Sequence, residues 1–249
     1  MWIFPLLAAL ISLVFAAVLI RASIRPARPA QAMWAIALLM YAAASFAMFL
    51  GSLSNWTPGE FRLYWLLGAT LTVPYLAQGE IYLLAARSVA NVLFVVLIFG
   101  TAYAVAKIGS APIQLAYLHE ELPLGKDVFG AGSEAHRLAQ LYSIPAYVVL
   151  LAGAVWSAWR MRGRPERRNR MLGTLGVAAG ATIVAVGSGI GAAYAHVWLF
   201  SVALAAGVAV MFWGFLRATR PPNMHRNLAT DTSSRRLGSS SGSEAKRDL

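Results

Sequence analysis

Four stretches of this chain run long distances without a lysine, arginine, aspartate or glutamate: Met1–Ile20, Gln31–Gly59, Ser88–Ala106 and Met171–Leu216. A helix rises ~1.5 Å per residue, so ~18 or more apolar residues are enough to cross ~30 Å of hydrocarbon. In lipid every backbone N–H and C=O must find its partner inside the protein, which leaves only helices and closed barrels. Ten-residue alternating strands with short turns are absent, so the chain reads as a helical bundle. Composition agrees, with 59% hydrophobic and 12% charged residues, where a soluble domain runs near ~25% charged.

The hydropathy pattern predicts seven transmembrane helices, at about 2–20, 31–51, 61–86, 88–107, 137–160, 168–193 and 196–217. Prolines at 26, 29, 58, 112, 123 and 165 punctuate the connections, as residues unable to continue a helix should. The third and fourth spans are separated by only a few residues around Arg87 and Ser88, which requires a tight antiparallel hairpin. Two domains follow: a seven-helix domain over 1–220 and a tail over 221–249. The tail's Ser, Gly and Arg content predicts a disordered, basic, cytoplasmic segment.

Basic residues set the expected orientation. With the N-terminus outside, 17 of the 21 Lys and Arg fall in the cytoplasm, in the loop after the first span, at Arg87, in Arg160–Arg170 and in the tail. The outer side keeps Arg62, Lys107, Lys126 and Arg137 beside the acids Glu60, Glu120, Glu121, Asp127 and Glu134. Nothing positive precedes the first apolar run, so it reads as an inserted helix rather than a cleaved signal. On this topology Trp2, Trp56, Trp65 and Trp198 lie at the outer interface, and Trp34, Trp156, Trp159 and Trp213 at the inner one. Such a distribution predicts interfacial anchors, with ligand contact the exception.

The same placement explains the net charge of +11. Arginines beside membrane helices orient the protein and attract anionic lipid headgroups on the cytoplasmic side, so the expected partners are the bilayer and other proteins within it, not nucleic acid. There is no cysteine, which excludes disulfides, thiolate chemistry and iron–sulfur ligation. No cofactor motif is present. The predicted home is the cytoplasmic (inner) membrane of a bacterium.

Polar residues inside the third span are the candidate site. At ~100° per residue, Tyr64, Gly68, Leu71, Tyr75, Gln78 and Tyr82 line one face, and phenols and an amide facing lipid would be costly. Pro74 removes a backbone donor and frees the Thr70 carbonyl, so a kink is expected there. Glu80 is the only acid inside any predicted span. At the centre of a helix an acid costs ~2.5–3.5 kcal/mol on insertion scales, so it must be paired, hydrated or protonated. Arg87, Arg25 or a cytoplasm-facing vestibule shared with Tyr75, Gln78 or Tyr82 would meet that need; the functional and structural readings of Glu80 are evenly matched. Arg62 reads as an interfacial anchor. His119-Glu120-Glu121 and Glu134-Ala135-His136 lack a helical metal-ligand spacing and read as a solvated loop within the outer connection 108–136, which also carries a short interfacial helix around Ile113–Leu122. Glycines at 173, 176, 180, 187, 189 and 191 make the sixth span a close-packing helix, within the bundle rather than between two copies.

Two sequence likenesses add to this. Arg21, Arg25, Pro26 and Arg28 recur as Arg160, Arg164, Pro165 and Arg167, which fits two parallel three-helix units joined by the fourth span, a 3+1+3 plan. A retinal protein is excluded by the absence of lysine from the seventh span, and the Pro-Gln signature of 3+1+3 sugar transporters is missing. Trp56-Thr57-Pro58, Phe61-Arg62-Leu63-Tyr64-Trp65, Gly68-Ala69, Gly79 and Tyr82-Leu83-Leu84 resemble a family of bacterial seven-helix integral membrane proteins. That resemblance implies the bundle and carries no established activity. The leading expectation is a carrier-like protein for a small solute, ion or lipid. An accessory or assembly subunit of a membrane complex comes second and a ligand-sensing receptor third. An enzyme is not expected, because no nucleophile–base pair or paired acids lie within the spans. A water-accessible cavity reaching mid-membrane would favour a carrier; a filled core with an exposed small-residue face would favour a subunit.

Overall fold

The computed structural model describes residues 3–24, 28–120, 123–161, 168–194 and 197–218. The tail 221–249, Trp2, Arg25, Glu121 and all of residues 162–167 in the arginine-rich connection lie outside them, and with them much of the repeat motif.

All described elements are helical. They are α1 (Ile3–Ile24), α2 (Pro29–Ser54), α3 (Pro58–Tyr64), a π-helical segment (Trp65–Leu71), α4 (Thr72–Leu84), α5 (Arg87–Ser110), a 3-10 turn (Leu115–His119), the single turn α6 (Gly125–Val128), α7 (Glu134–Met161), α8 (Arg168–Tyr194) and α9 (Val197–Ala218). Six of them are long and apolar enough to cross a membrane: α1, α2, α5, α7, α8 and α9. The segment read as a third span, 61–86, is one unbroken helical run over 58–84, but the π-helical segment divides it into three shorter pieces.

Local chemistry explains where these helices start and turn. Pro29 and Pro58 open α2 and α3 at positions whose N–H would be unused anyway. Thr57 caps α3 through a reciprocal pair: its hydroxyl accepts from the Glu60 N–H at 3.2 Å, and Glu60 Oε2 accepts from the Thr57 N–H at 2.9 Å. Asn55, at φ 68, reverses the chain between α2 and α3. Only Ala85 and Ala86 separate α4 from α5, giving the expected hairpin.

The burial pattern is that of a membrane protein. Polar Ser12, Ser45, Thr70, Thr72, Gln78, Glu80 and Ser201 are buried, while large apolar side chains cover the perimeter. In water, exposed apolar area costs ~25 cal/mol per Å², which this surface avoids only in lipid. Trp156, Trp159, Trp198 and Trp213 stand exposed on that perimeter, as anchors should. Trp34, Trp56 and Trp65 do not. Trp34 lies against Gly79 and donates to the Leu76 carbonyl at 3.1 Å; Trp56 is buried over Gly51 beside Phe61 and Tyr64.

Six helical columns close a ring in the order α1, α2, the α3–π–α4 run, α7, α8, α9 and back to α1. Its tightest seam joins α8 to α9, where Gly176 faces Gly214, Gly180 faces Gly207 and Gly187 faces Ala203. The glycines thus serve packing within the chain. The seam between α7 and α8 is the least extensive in the ring. α5 stands outside, against α4, the π segment and α7; only 11% of its span is buried, and Phe99 is 73% exposed.

Candidate functional site

The ring is not filled. Between α2, the π segment, α7, α8 and α9 lies a cavity of about 580 Å³, and a second of about 340 Å³ continues it. They share walls at Tyr41, Gly68, Ser143, Val184 and Ser188, so they adjoin. The mouth of the first is at the end carrying the long connection 111–133, where Leu124, Lys126, His136 and Gln140 line it. The floor of the second is Leu76, Leu150, Val208 and Met211. From Gln140 to Leu150 along α7 is roughly 15 Å, half of a ~30 Å hydrocarbon core.

The polar lining differs sharply with depth. Deep hydroxyls are turned onto the protein's own backbone. Tyr41 donates to the Leu204 carbonyl at 2.9 Å, Ser143 to Ala69 at 2.6 Å, Ser188 to Val184 at 2.6 Å and Thr72 to Leu67 at 2.7 Å. Tyr147 and Thr182 bond each other at 2.9 Å, and Thr182 also donates to Ala178. The deep walls therefore offer a ligand mostly carbon. Toward the mouth two groups are free: among the described residues neither Tyr64 nor Lys126 makes a side-chain hydrogen bond or ion pair, whereas His136 Nε2 lies 3.3 Å from Gln140 Nε2 and its buried Nδ1 has no partner.

The connection forms a roof over this mouth. Arg62 Nη2 holds its start by donating to the Ala111 carbonyl at 2.8 Å. Leu118 and Val128 are buried beneath it, and Phe129 packs on Phe61 and Trp65. Gly125 lies so close over the Trp65 indole that no side chain fits there. Trp65 stacks on His136 with centroids 5.9 Å apart and donates to the Ala135 carbonyl at 3.1 Å. Glu134 accepts from Lys107 at 2.9 Å and from the Tyr103 hydroxyl, clamping α7 to α5. Among the described residues no three His, Asp or Glu gather.

The five polar residues singled out in the third span do not meet at one site. Tyr64 lines the cavity. Tyr75, Gln78 and Tyr82 turn to α5 instead, through Tyr75 OH to Thr101 Oγ1 at 3.2 Å, Gln78 Nε2 to the Ala90 carbonyl at 2.7 Å and Tyr82 OH to Asn91 Oδ1 at 3.1 Å. Glu80 faces a third direction, against the bare Cα of Gly153 on α7. It is 7% exposed, and among the described residues nothing bonds it, Arg87 included.

The π-helical segment is the reason. Pro74 has no N–H, and its ring crowds the carbonyl four residues earlier. Just upstream the helix widens: the Thr72 N–H reaches back five residues to Leu67, and the Thr70 and Thr72 hydroxyls make bonds of the same span to Trp65 and Leu67. Cavity-lining positions on this helix accordingly recur every four residues, at Tyr64, Gly68, Thr72 and Leu76. In an α-helix that spacing drifts by about 40° per step; a wider turn holds it straight. The 3.6-residue stripe leaves the cavity after Gly68 and runs to α5. Nothing in hydropathy marks the widening, although Pro74 with two upstream threonines is its signal. Tyr41, Ser143 and Ser188 were missed because single hydroxyls in an apolar helix carry no pattern.

Compared with protein-family models, with characterised proteins and with solved structures, the chain matches none. The likeness of its third span to bacterial seven-helix proteins therefore rests on those residues alone. What the helices themselves establish is a multi-pass, all-α integral membrane protein in contact with the lipid bilayer.

Proposed function

We propose that this protein is carrier-like and binds a small molecule in the central cavity, entered from the end roofed by the 111–133 connection. One observation carries the reading: a space of about 580 Å³, adjoining a further 340 Å³, runs from the roofed end down the middle of the ring to Leu150 and Met211. Sites of ~300–1,000 Å³ are the size that small ligands occupy, and a packing subunit has no use for one.

The α3–π–α4 run, 27 residues from Pro58 to Leu84, is long enough to be a seventh crossing, and we read it so. With the N-terminus outside, the positive-inside rule then puts the cavity mouth on the outer face of a bacterial inner membrane. The order of the ring supports the 3+1+3 plan. Contacts α1–α2, α2–α4 and α4–α7 correspond to α7–α8, α8–α9 and α9–α1, with α5 as the outside link. Alternating access would then open the α4–α7 and α9–α1 seams toward the cytoplasm. Glu80 lies against Gly153 in the first of these and has no bond among the described residues, which supports a role in biasing that step.

The absence of cysteine makes the test direct. Ser143→Cys and Leu150→Cys, each as the single thiol in sealed, oriented proteoliposomes, are exposed to an impermeant thiol reagent from either side. A carrier reacts at Ser143→Cys from the mouth side and at Leu150→Cys from both sides. Reaction from the mouth side alone would leave a binding protein or receptor; none from either side would remove the cavity as a site.

A further inference from the structure

Two features of the cavity, resting on the binding reading above, narrow what it takes. The first is its side wall. Ile144 on α7 and Ala185 and Gly189 on α8 line the space and are at the same time exposed on the perimeter, and a Cβ added at Gly189 meets nothing within 4 Å. They flank the least extensive seam of the ring, so the wall between α7 and α8 is a window onto lipid. The second is the gradient of polarity. The deep hydroxyls are consumed by backbone carbonyls, whereas the mouth holds Lys126, which has no ion pair among the described residues. Asp127, adjacent in the chain, lies near enough for its charge to act on His136, but it does not line the space and makes no ion pair with Lys126.

We propose that the ligand is a single-chain anionic amphiphile of the fatty-carboxylate class, entering from the bilayer between α7 and α8. Its chain lies along Ile144, Val184 and Leu204, and its carboxylate meets Lys126 at the mouth. An aqueous polar solute would find almost no free donor or acceptor on the deep walls. A neutral hydrocarbon would leave Lys126 unused.

The test uses the full chain in phosphatidylcholine vesicles containing a photoreactive palmitic acid, with the matching fatty alcohol as a control, and maps the labelled residues. The expected result is labelling of α7 and α8 at the cavity walls, with the acid ahead of the alcohol by about tenfold, the worth of one charge-assisted contact. Lys126→Gln should erase that preference. Gly189→Trp, or Gly189→Leu if the larger residue impairs insertion, should abolish cavity labelling by either probe. Equal labelling by acid and alcohol, or no effect of Lys126→Gln, overturns the anionic assignment and leaves cavity binding intact. Labelling only of lipid-facing α5 residues such as Val96 and Phe99, indifferent to Gly189→Trp, overturns both.

Discussion

Replacing Gly214 with alanine should loosen the tightest seam of the ring. A Cβ built there falls 2.8 Å from the Gly173 carbonyl oxygen and 2.9 Å from the Gly176 Cα, both backbone atoms that cannot swing aside. Carbon atoms sit comfortably at ~3.5–4.0 Å, so α8 and α9 must part by roughly 0.6–1 Å. A gap of that size forfeits a quarter to a half of each dispersion contact along the seam, and overpacking of this kind costs ~1–3 kcal/mol. Alanine returns ~0.5–1 kcal/mol by restricting the unfolded backbone, leaving a net loss of about 1–2 kcal/mol. Gly189→Ala is the internal control: same helix pair and same chemistry, but open space around the new methyl. It should gain ~0.5–1 kcal/mol. Equilibrium unfolding in mixed detergent micelles, or Tm in a mild detergent, would rank the three proteins, with about 2–4 °C per kcal/mol for a chain of this size. Gly214→Ala proving as stable as Gly189→Ala would refute the close approach of the two helices.

Other expectations follow from single contacts. Thr57→Ala removes the reciprocal cap of α3 and should cost about 0.5–2 kcal/mol, read as a lowered Tm; an unchanged Tm would mean the cap is solvated away. Glu80→Gln removes a carboxylate that no described residue bonds, so expression and Tm should hold or rise, while any transport activity is lost; a marked loss of stability would point to a hidden ion pair. For orientation, cysteines at Ser54 and Gly132 should react with impermeant reagents outside the cell, and those at Gly163 and Ser240 should not. Gly132 is the better loop position, because a side chain there meets nothing, whereas at Gly125 it would strike Trp65.

Much of this architecture was legible in the chain. Uncharged runs gave the helices within a few residues, since an apolar stretch in lipid has one way to satisfy its backbone. Glycine spacing marked the sixth span as a close-packing helix, because small residues at helical intervals mean close approach, but it did not name α9 as the partner. The candidate site was only partly legible. Helical-face arithmetic assumes 3.6 residues per turn throughout, and seven residues from Trp65 to Leu71 break that assumption. Tyr64 kept its predicted neighbourhood because it precedes the break; Tyr75, Gln78 and Tyr82 follow it and joined α5. Lys126 and His136 were read as loop surface because a roof folded back over a bundle leaves no trace in local sequence.

The outlying position of α5 acquires meaning as a matter of parity. A unit of three crossings begins on one side of the membrane and ends on the other, so a second copy fused directly behind it would be inserted upside down. On the 3+1+3 plan proposed above, one extra crossing restores the starting side, and that is all the plan asks of α5, which lines no part of the cavity and closes no seam of the ring. Such a helix is constrained chiefly by its length and by a few points of attachment, at Ala90, Asn91, Thr101 and Lys107. Its lipid-facing positions, Val92, Val96 and Phe99 among them, are free to drift among apolar residues. Among homologues of this chain, variability should concentrate on this one helix, while the six helices around the cavity keep their hydroxyls and glycines in register.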